Sequence, residues 1–357
     1  MKKFFVFVSI TFCLFLTTAC GKYGEDDLVK DLSKKIESLE SYNLTATLEI
    51  YRNEEKYTYE VESSYEEDDN FRVSLINKNN NHEQIILKNE DGVYVLTPSL
   101  NKSFKFQSDW PYNNSQIYLL QPLISDMKMD EKRTFEQLDD GYKLKTSVNY
   151  SNDKSLVSQN IYIDKDLNIT KVEILNKQNE IKMVLNIIEI DYKADFDDNY
   201  FNVGEEFDSQ TKKGQNEKEE SKVEEKEETD SLGDEKDLSS NTKETTSSES
   251  IVYPMYVPVD TYLSSQDVLQ MDEGERIILT FAGTSPFTLI QETVSKDISS
   301  DFVSGDPGFI LDTIGVISEN SVNWISNNTE YYVVSESLDT DELLSVAQSI
   351  SVMPIGK

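Results

Sequence analysis

From Asn43 onward the apolar residues fall on every second position, with Leu44, Ala46, Leu48 and Ile50 alternating with Thr45, Thr47 and Glu49. Side chains on a pleated strand point alternately to two faces, so this period predicts a β-strand with one buried and one wet side. The pattern recurs at Tyr57, Tyr59 and Val61, at Phe71, Val73 and Leu75, at Ile85 and Leu87, and at Tyr142, Leu144, Thr146 and Val148. Polar turns such as Asn89-Glu90-Asp91-Gly92 and Asp139-Asp140-Gly141 separate the runs. Half-polar strands without helical crossovers predict one antiparallel sheet in meander order with a single wet face. The last strands of this region are expected at Ile161 to Asp164, Ile169 to Leu175 and Ile181 to Tyr192.

Two stretches break the two-residue period. From Asp26 to Leu39, Leu28, Val29, Leu32, Ile36 and Leu39 share one side of a helix whose other side is charged. From Ser115 to about Met127, Ile117, Leu120 and Ile124 stand at helical spacing, with Pro122 expected to kink the turn it interrupts.

At Glu205 the composition changes, and through Ser250 the chain is mostly Glu, Lys, Ser, Thr and Asp. Such a stretch has too little apolar surface to form a core and is read as a disordered acidic linker. As a flexible coil, its roughly 46 residues would span about 35–40 Å. Ordered sequence resumes at Ile251 with Pro254 and Pro258. Strands follow at Arg276 to Phe281, Phe287 to Thr293, Phe309 to Ile317 and Tyr331 to Ser335, with a hairpin near Asn327-Asn328. A last helix starts at Asp339, where Asp339 and Glu342 have capping-box spacing and Leu343, Leu344, Ala347 and Ile350 form the buried stripe. The expected organisation is therefore residues 1–19 as a signal peptide, 20–204 as a mainly β domain, 205–250 as linker and 251–357 as a small α+β domain.

The signal peptide rests on Lys2 and Lys3 followed by an apolar run from Phe4 to Leu16. That run, about thirteen residues, is too short to cross a bilayer core needing roughly twenty helical residues. Leu16-Thr17-Thr18-Ala19-Cys20-Gly21 then resembles a lipobox, in which Cys20 receives diacylglycerol, with or without a further N-acyl chain, and becomes the first mature residue. An ordinary secretory signal would instead leave Cys20 as one unpaired thiol outside the cell. Two acyl chains hold a protein on a membrane where one barely does. The expected location is extracytoplasmic, on the outer face of the cytoplasmic membrane.

Charge and side-chain chemistry narrow the function. A formal charge of −33 opposes binding to nucleic-acid phosphates and to anionic lipid, so attachment must come from the acyl chains. Cys13 leaves with the signal, Cys20 carries lipid, and His82 is the one histidine. These counts leave no material for a zinc site of the usual kind, a cysteine nucleophile or a metalloprotease helix. His82 lies in the polar run Asn79-Asn80-Asn81-His82-Glu83, read as a hairpin loop. Asp164-Lys165-Asp166-Leu167-Asn168 opens like a calcium loop, but Ile169 stands where glycine is needed and Leu175 where the bidentate glutamate belongs, so it is read as a turn. No catalytic residue, metal or other cofactor is expected.

The most specific stretch is Val93-Tyr94-Val95-Leu96-Thr97-Pro98-Ser99-Leu100-Asn101-Lys102-Ser103-Phe104-Lys105-Phe106, with Asp109-Trp110-Pro111 and Gln116-Ile117-Tyr118-Leu119-Leu120. Together with Ile187 to Tyr192 and Phe196 to Phe201, it resembles the LolA-like lipoproteins of spore-forming Gram-positive bacteria, a group with roles in sporulation and germination, over about residues 25 to 203. Residues 251 to 353 resemble a small extracytoplasmic domain that follows LolA-like regions, with Val257-Pro258, Trp324, Tyr331-Tyr332 and Leu338 to Ile350 as landmarks. The resemblance implies an open antiparallel half-barrel with helices in its concave, apolar face. It also offers Trp110, Ile117, Leu120 and Ile124 as the lining of a cavity for an acyl chain or hydrophobic segment; plain core packing is the other reading of the same residues. The function implied is binding of a partner protein, such as a cell-wall or cortex enzyme, or of a lipidated segment. The alternative is a lipid or lipoprotein carrier using the concave face.

Overall fold

The computed structural model describes residues 23–52, 55–150, 153–204, 251–271, 274–295 and 299–350. The signal peptide, Cys20 and the 205–250 segment lie outside the described residues.

The first half opens with α1 (Glu25–Glu37), followed by six strands: β1 (Ser41–Arg52), β2 (Glu55–Glu66), β3 (Asn70–Asn77), β4 (Glu83–Asn89), β5 (Gly92–Thr97) and β6 (Lys102–Gln107). A second helix, α2 (Leu120–Met129), precedes β7 (Thr134–Leu138), β8 (Gly141–Ser147), β9 (Leu156–Asp164), β10 (Ile169–Asn176) and β11 (Ile181–Asp191). The second half contains β12 (Thr261–Gln270), β13 (Glu275–Gly283), β14 (Phe287–Thr293), β15 (Ser299–Ser304), β16 (Asp306–Ile310), β17 (Thr313–Ile317), β18 (Ser321–Ser326), β19 (Thr329–Val334) and α3 (Thr340–Gln348).

Among the described residues the strands form two open sheets. The first runs β15-β6-β5-β4-β3-β2-β1-β11-β10-β9-β8-β7 and the second β12-β13-β14-β19-β18-β17-β16. The larger sheet is thus two meanders rather than one. The chain climbs from β1 to β6, then must reach the opposite margin to begin β7 before descending to β11 beside β1. The link between those margins carries α2 across the apolar face, where it packs on α1. The inner-face position of α2 belongs to that crossing, and α1, which precedes β1, packs beside it.

Alternation works as expected in β1, where Tyr42, Leu44, Ala46, Leu48 and Ile50 are buried. These meet Leu28, Leu32 and Ile36 of α1 and Leu120, Leu123, Ile124 and Met127 of α2 in one core. The wet outer face has an exception at β4 and β5: Ile85, Leu87, Tyr94 and Leu96 are covered by Phe196, Tyr200 and Phe201. Burial on both faces accounts for the unbroken Ile85-Ile86-Leu87 run, which strict alternation does not explain.

Three local expectations change. The second helix begins at Leu120, and Pro122 falls in its first turn, where amides have no intrahelical acceptor, so the ring costs no hydrogen bond there. The strand read from Phe309 to Ile317 is a tight hairpin of β16 and β17, with Leu311 at φ 55°. Finally, β15 crosses from the second half to the first sheet and pairs in parallel with β6, Ser299 opposite Lys102 and Ser304 opposite Gln107. The second half also has its own core around Trp324, Leu289, Val333, Leu343 and Ala347. There α3 packs on β16, β18 and β19, and the Asp339 carboxylate accepts the Glu342 amide at 2.9 Å.

Candidate functional site

The two halves meet along a polar seam with an apolar floor. Gln84, buried on β4, holds the start of β17: its Oε1 accepts the Ile314 amide at 2.6 Å and the Thr313 hydroxyl at 2.9 Å, and its Nε2 donates to the Ile314 carbonyl at 2.8 Å. Nearby, Asn77 Nδ2 donates to the Asp312 carbonyl at 3.2 Å and Asn80 Nδ2 to the Asp312 carboxylate at 3.4 Å. Burial pushes the Asp312 carboxyl above its usual range, with the His82 side chain acting in the opposite direction. Lys102 bridges Asp301 at 2.7 Å and Glu330 at 3.1 Å. The Ser108 hydroxyl and Asn113 Nδ2 both donate to Asp306 Oδ1, at 2.5 and 2.7 Å. Val294, Ile314, Val316 and Ile325 join the first half's core directly.

Beneath this seam lies a cavity of about 40 Å³. Arg52, Gln116, Ile117, Tyr150 and Met183 line it from the first half, and Phe309 and Leu344 from the second. Arg52 Nη2 donates to the Phe309 carbonyl at 2.9 Å, while Nη1 is buried without a hydrogen-bond partner among the described residues. Burial lowers the pKa of this guanidinium, and the charge of Asp153 acts the other way. A void of this size is large enough to admit water. Pockets for drug-sized ligands run to about 300–1,000 Å³.

The four residues expected at a hydrophobic cavity are all buried, but not around one space. Trp110 is 1% exposed and packs edge-on to Phe71 at 6.1 Å. Leu120 and Ile124 point from α2 into the same core, and Ile117 borders the seam cavity. Tyr42 fixes the start of α2, its hydroxyl accepting the Leu120 amide at 3.3 Å and donating to Gln121 Oε1 at 3.1 Å.

Asp126, also on α2, carries the most perturbed carboxyl of this face. Burial raises its pKa from the ordinary 3.8 to about 6, against the pull of hydrogen bonds from Ser115 and Gln159. Gln159 Nε2 donates to it at 2.9 Å. Sequence reasoning passed over Asp126, Gln84 and Arg52. The only signal for Asp126 was a polar side chain inside an otherwise largely apolar stretch; nothing marked Gln84, at the end of the polar run from Asn79, or Arg52.

The remaining sequence candidates take structural places. His82 is exposed in the β3–β4 turn. The Asp164–Asn168 stretch is the β9–β10 turn, where Asp164 Oδ1 accepts the amides of Asp166 and Asn168 at 2.9 and 2.8 Å. The Lys35 ammonium reaches into that turn, donating to the carbonyls of Asp166 and Leu167 and to Asn168 Oδ1 at 2.7 Å. It also lies 4.4 Å from the Tyr192 ring centre. The chain's own cation thus takes Asn168 Oδ1, one of the side-chain oxygens that a calcium loop would offer. Among the described residues no group of three metal-ligating side chains is formed. No described helix is long and apolar enough to cross a membrane.

No family model matches the chain. It is 31% identical over 352 residues to the sporulation protein YdcC of Bacillus subtilis (strain 168), covering 98% of this chain and 97% of that protein. Among solved structures, MucB aligns at 13% identity over 92% of this chain and 98% of its own, with a TM-score of 0.33. A LolA superfamily protein from Nitrosomonas europaea aligns at 12% identity over 50% of this chain and 98% of its own, with a TM-score of 0.29. At those TM-scores neither structural likeness carries weight for what the chain does.

Proposed function

The chain belongs to the family of the Bacillus subtilis sporulation protein YdcC, and from that premise we infer that it is a lipid-tethered, non-catalytic binding module that supports sporulation or germination by engaging a partner protein. The tether enters from the sequence, where Lys2, Lys3, the apolar run and Ala19-Cys20-Gly21 make Cys20 the acceptor of diacylglycerol on the outer face of the cytoplasmic or forespore-surrounding membrane.

One observation carries the choice of a protein partner over an acyl cargo. The face that a lipid carrier would use is occupied by the chain itself: Leu28 and Leu32 of α1 and Leu120 of α2 are 0% exposed, and the void at the seam measures about 40 Å³. To take an acyl chain, α2 would have to leave the sheet and expose Leu120, Leu123, Ile124 and Met127 together. A partner meeting the outer surface requires no such opening. The module acts as a fixed receptor rather than a courier, and a cell-wall or cortex enzyme is the partner class this reading favours.

The test is chemical cross-linking in sporulating cells, followed by affinity capture and mass spectrometry of both proteins and lipids. Capture of a defined protein with no stoichiometric lipid beyond the anchor is the expected result. Co-purification of a second acyl lipid, with no protein retained, would overturn the reading in favour of a carrier. Cys20→Ser should move the chain from the membrane to the soluble fraction.

A further inference from the structure

Four strand edges close the two sheets, and they differ in how they are protected. Three are short, β7 and β16 with five residues and β15 with six. The fourth, β12, runs for ten residues, Thr261–Gln270, and pairs only with β13 among the described residues. Every side chain from Tyr262 to Gln270 is exposed, so neither face of the strand is covered. A bulge at Ser264 marks its middle, and from Ser265 to Gln270 the pairing with β13 is regular. The outer margin carries backbone donors and acceptors with no strand among the described residues to meet them, and it lacks the lysines and prolines by which sheet margins are usually blunted.

The surface beside this margin is apolar and continuous with the second half's core. Leu263 lies opposite Phe281 and Val268 opposite Ile277, on the face where Leu279 and Phe281 are buried, yet Leu263 and Val268 remain 40% and 45% exposed. The stretch before β12 adds Met255 and Val259, 82% and 83% exposed, and is tied to the strand by the Tyr253 hydroxyl donating to Gln266 Oε1 at 2.6 Å. An apolar strip along an open edge is the form of surface that accepts an added strand, with main-chain hydrogen bonds providing affinity and alternate side chains providing selection.

Charge identifies the occupant. Between Ile251 and Glu275 the chain has no lysine or arginine and five carboxylates, at Asp260, Asp267, Asp272, Glu273 and Glu275. The next residue, Arg276, is held by Glu292 at 2.7 Å. A second copy would bring the same acidic edge against itself, within a chain of formal charge −33. The 205–250 segment, rich in Glu and poor in apolar residues, offers neither the charge nor the side chains to cover the strip.

We propose that β12 is the docking edge for an extended segment of another protein, one that alternates apolar residues with Lys or Arg and adds as a strand beyond Thr261–Gln270. This rests on the reading of the chain as a protein-binding module and specifies the surface it uses.

The probe is a ten-residue peptide alternating valine and lysine, titrated against the whole chain in detergent, with a valine–glutamate peptide for comparison. The expected result is binding of the basic peptide alone, slowed amide exchange across Ser265–Gln270, and at least a ten-fold loss of affinity in Leu263→Ser/Val268→Ser, which leaves charge unchanged. Equal affinity for that variant, binding of the acidic peptide as well, or unchanged exchange in β12 would overturn the proposal. So would a dimer, seen by sedimentation, that the same variant abolishes, because the occupant would then be a second copy. In cells, capture of the same partner by the chain and by the double variant sinks the edge assignment and leaves the module reading intact; capture by neither removes both.

Discussion

The first sheet folds its apolar face onto two helices of its own and covers part of its outer face with Phe196, Tyr200 and Phe201. Among the described residues the second has one short helix, packed over β16, β18 and β19, and leaves the β12 margin bare on both sides. Both are open antiparallel sheets in the main, so the contrast does not come from strand chemistry. It comes from how much chain is left to cover each one. The apolar face of the first sheet is filled, and the longest bare strand margin among the described residues lies on the second.

That contrast can be broken or sharpened by substitution. The largest effect is expected from Trp324→Ala, which empties a fully buried site stacked on Tyr331 at 5.1 Å; a loss of about 3–5 kcal/mol should follow in denaturant unfolding. If the seam couples the halves, the whole transition shifts as one. Two separated transitions, only one of them moved, would make the halves independent bodies.

Gln84→Ala addresses the seam itself. It strands the Ile314 amide and carbonyl and the Thr313 hydroxyl in a buried place, where each unmet group costs roughly 1–3 kcal/mol. A net loss of about 2–4 kcal/mol is expected, with faster amide exchange in β17. Loss of stability without faster exchange there would place the damage elsewhere in β4.

Asp126 gives a pH test of the finished interior. Its folded pKa of about 6 lies above the ordinary 3.8, so the folded state holds the proton more tightly than the unfolded chain. The cost of ionising it is absent below pH ~4, grows as pH rises towards 6 and is complete above that. Relative to Asp126→Asn, the chain should therefore lose on the order of 2–3 kcal/mol between pH 4 and pH 7. Parallel stability profiles for the two proteins would mean that Asp126 is hydrated.

The smallest effect is expected on the bare edge. Leu263→Ser/Val268→Ser removes side chains that are already substantially exposed, so the free energy of unfolding should change by less than about 0.5 kcal/mol per site. A larger shift would show that β12 is held by its own fold rather than left for a partner.

Much of the strand content was legible because alternation is local. Leu44, Ala46, Leu48 and Ile50 declare β1 without reference to any neighbour, and α3 announces its start through Asp339. The hairpin at Leu311 was missed because Phe309 to Ile317 is apolar almost throughout, and a buried strand and a buried turn look alike there. β12 was missed because neither of its faces is buried, so no apolar alternation marks it, and the bulge at Ser264 shifts its register besides. Of the cavity residues, the sequence identified which would be buried. It did not show that Trp110, Leu120 and Ile124 pack against other side chains while Ile117 borders a void.

By itself the sequence determined the period of the strands, the acidic break at residues 205–250, the lipobox-like run that ends at Cys20-Gly21 and the scarcity of histidine and thiol, because each is a property of neighbouring residues or of composition. Only the tertiary structure decided that β7 to β11 return beside β1, that β15 joins the other half's sheet, and that Gln84 and Arg52 meet the chain more than two hundred residues away. Those contacts depend on which face meets which, and a chain carries no local record of the element that will cover it.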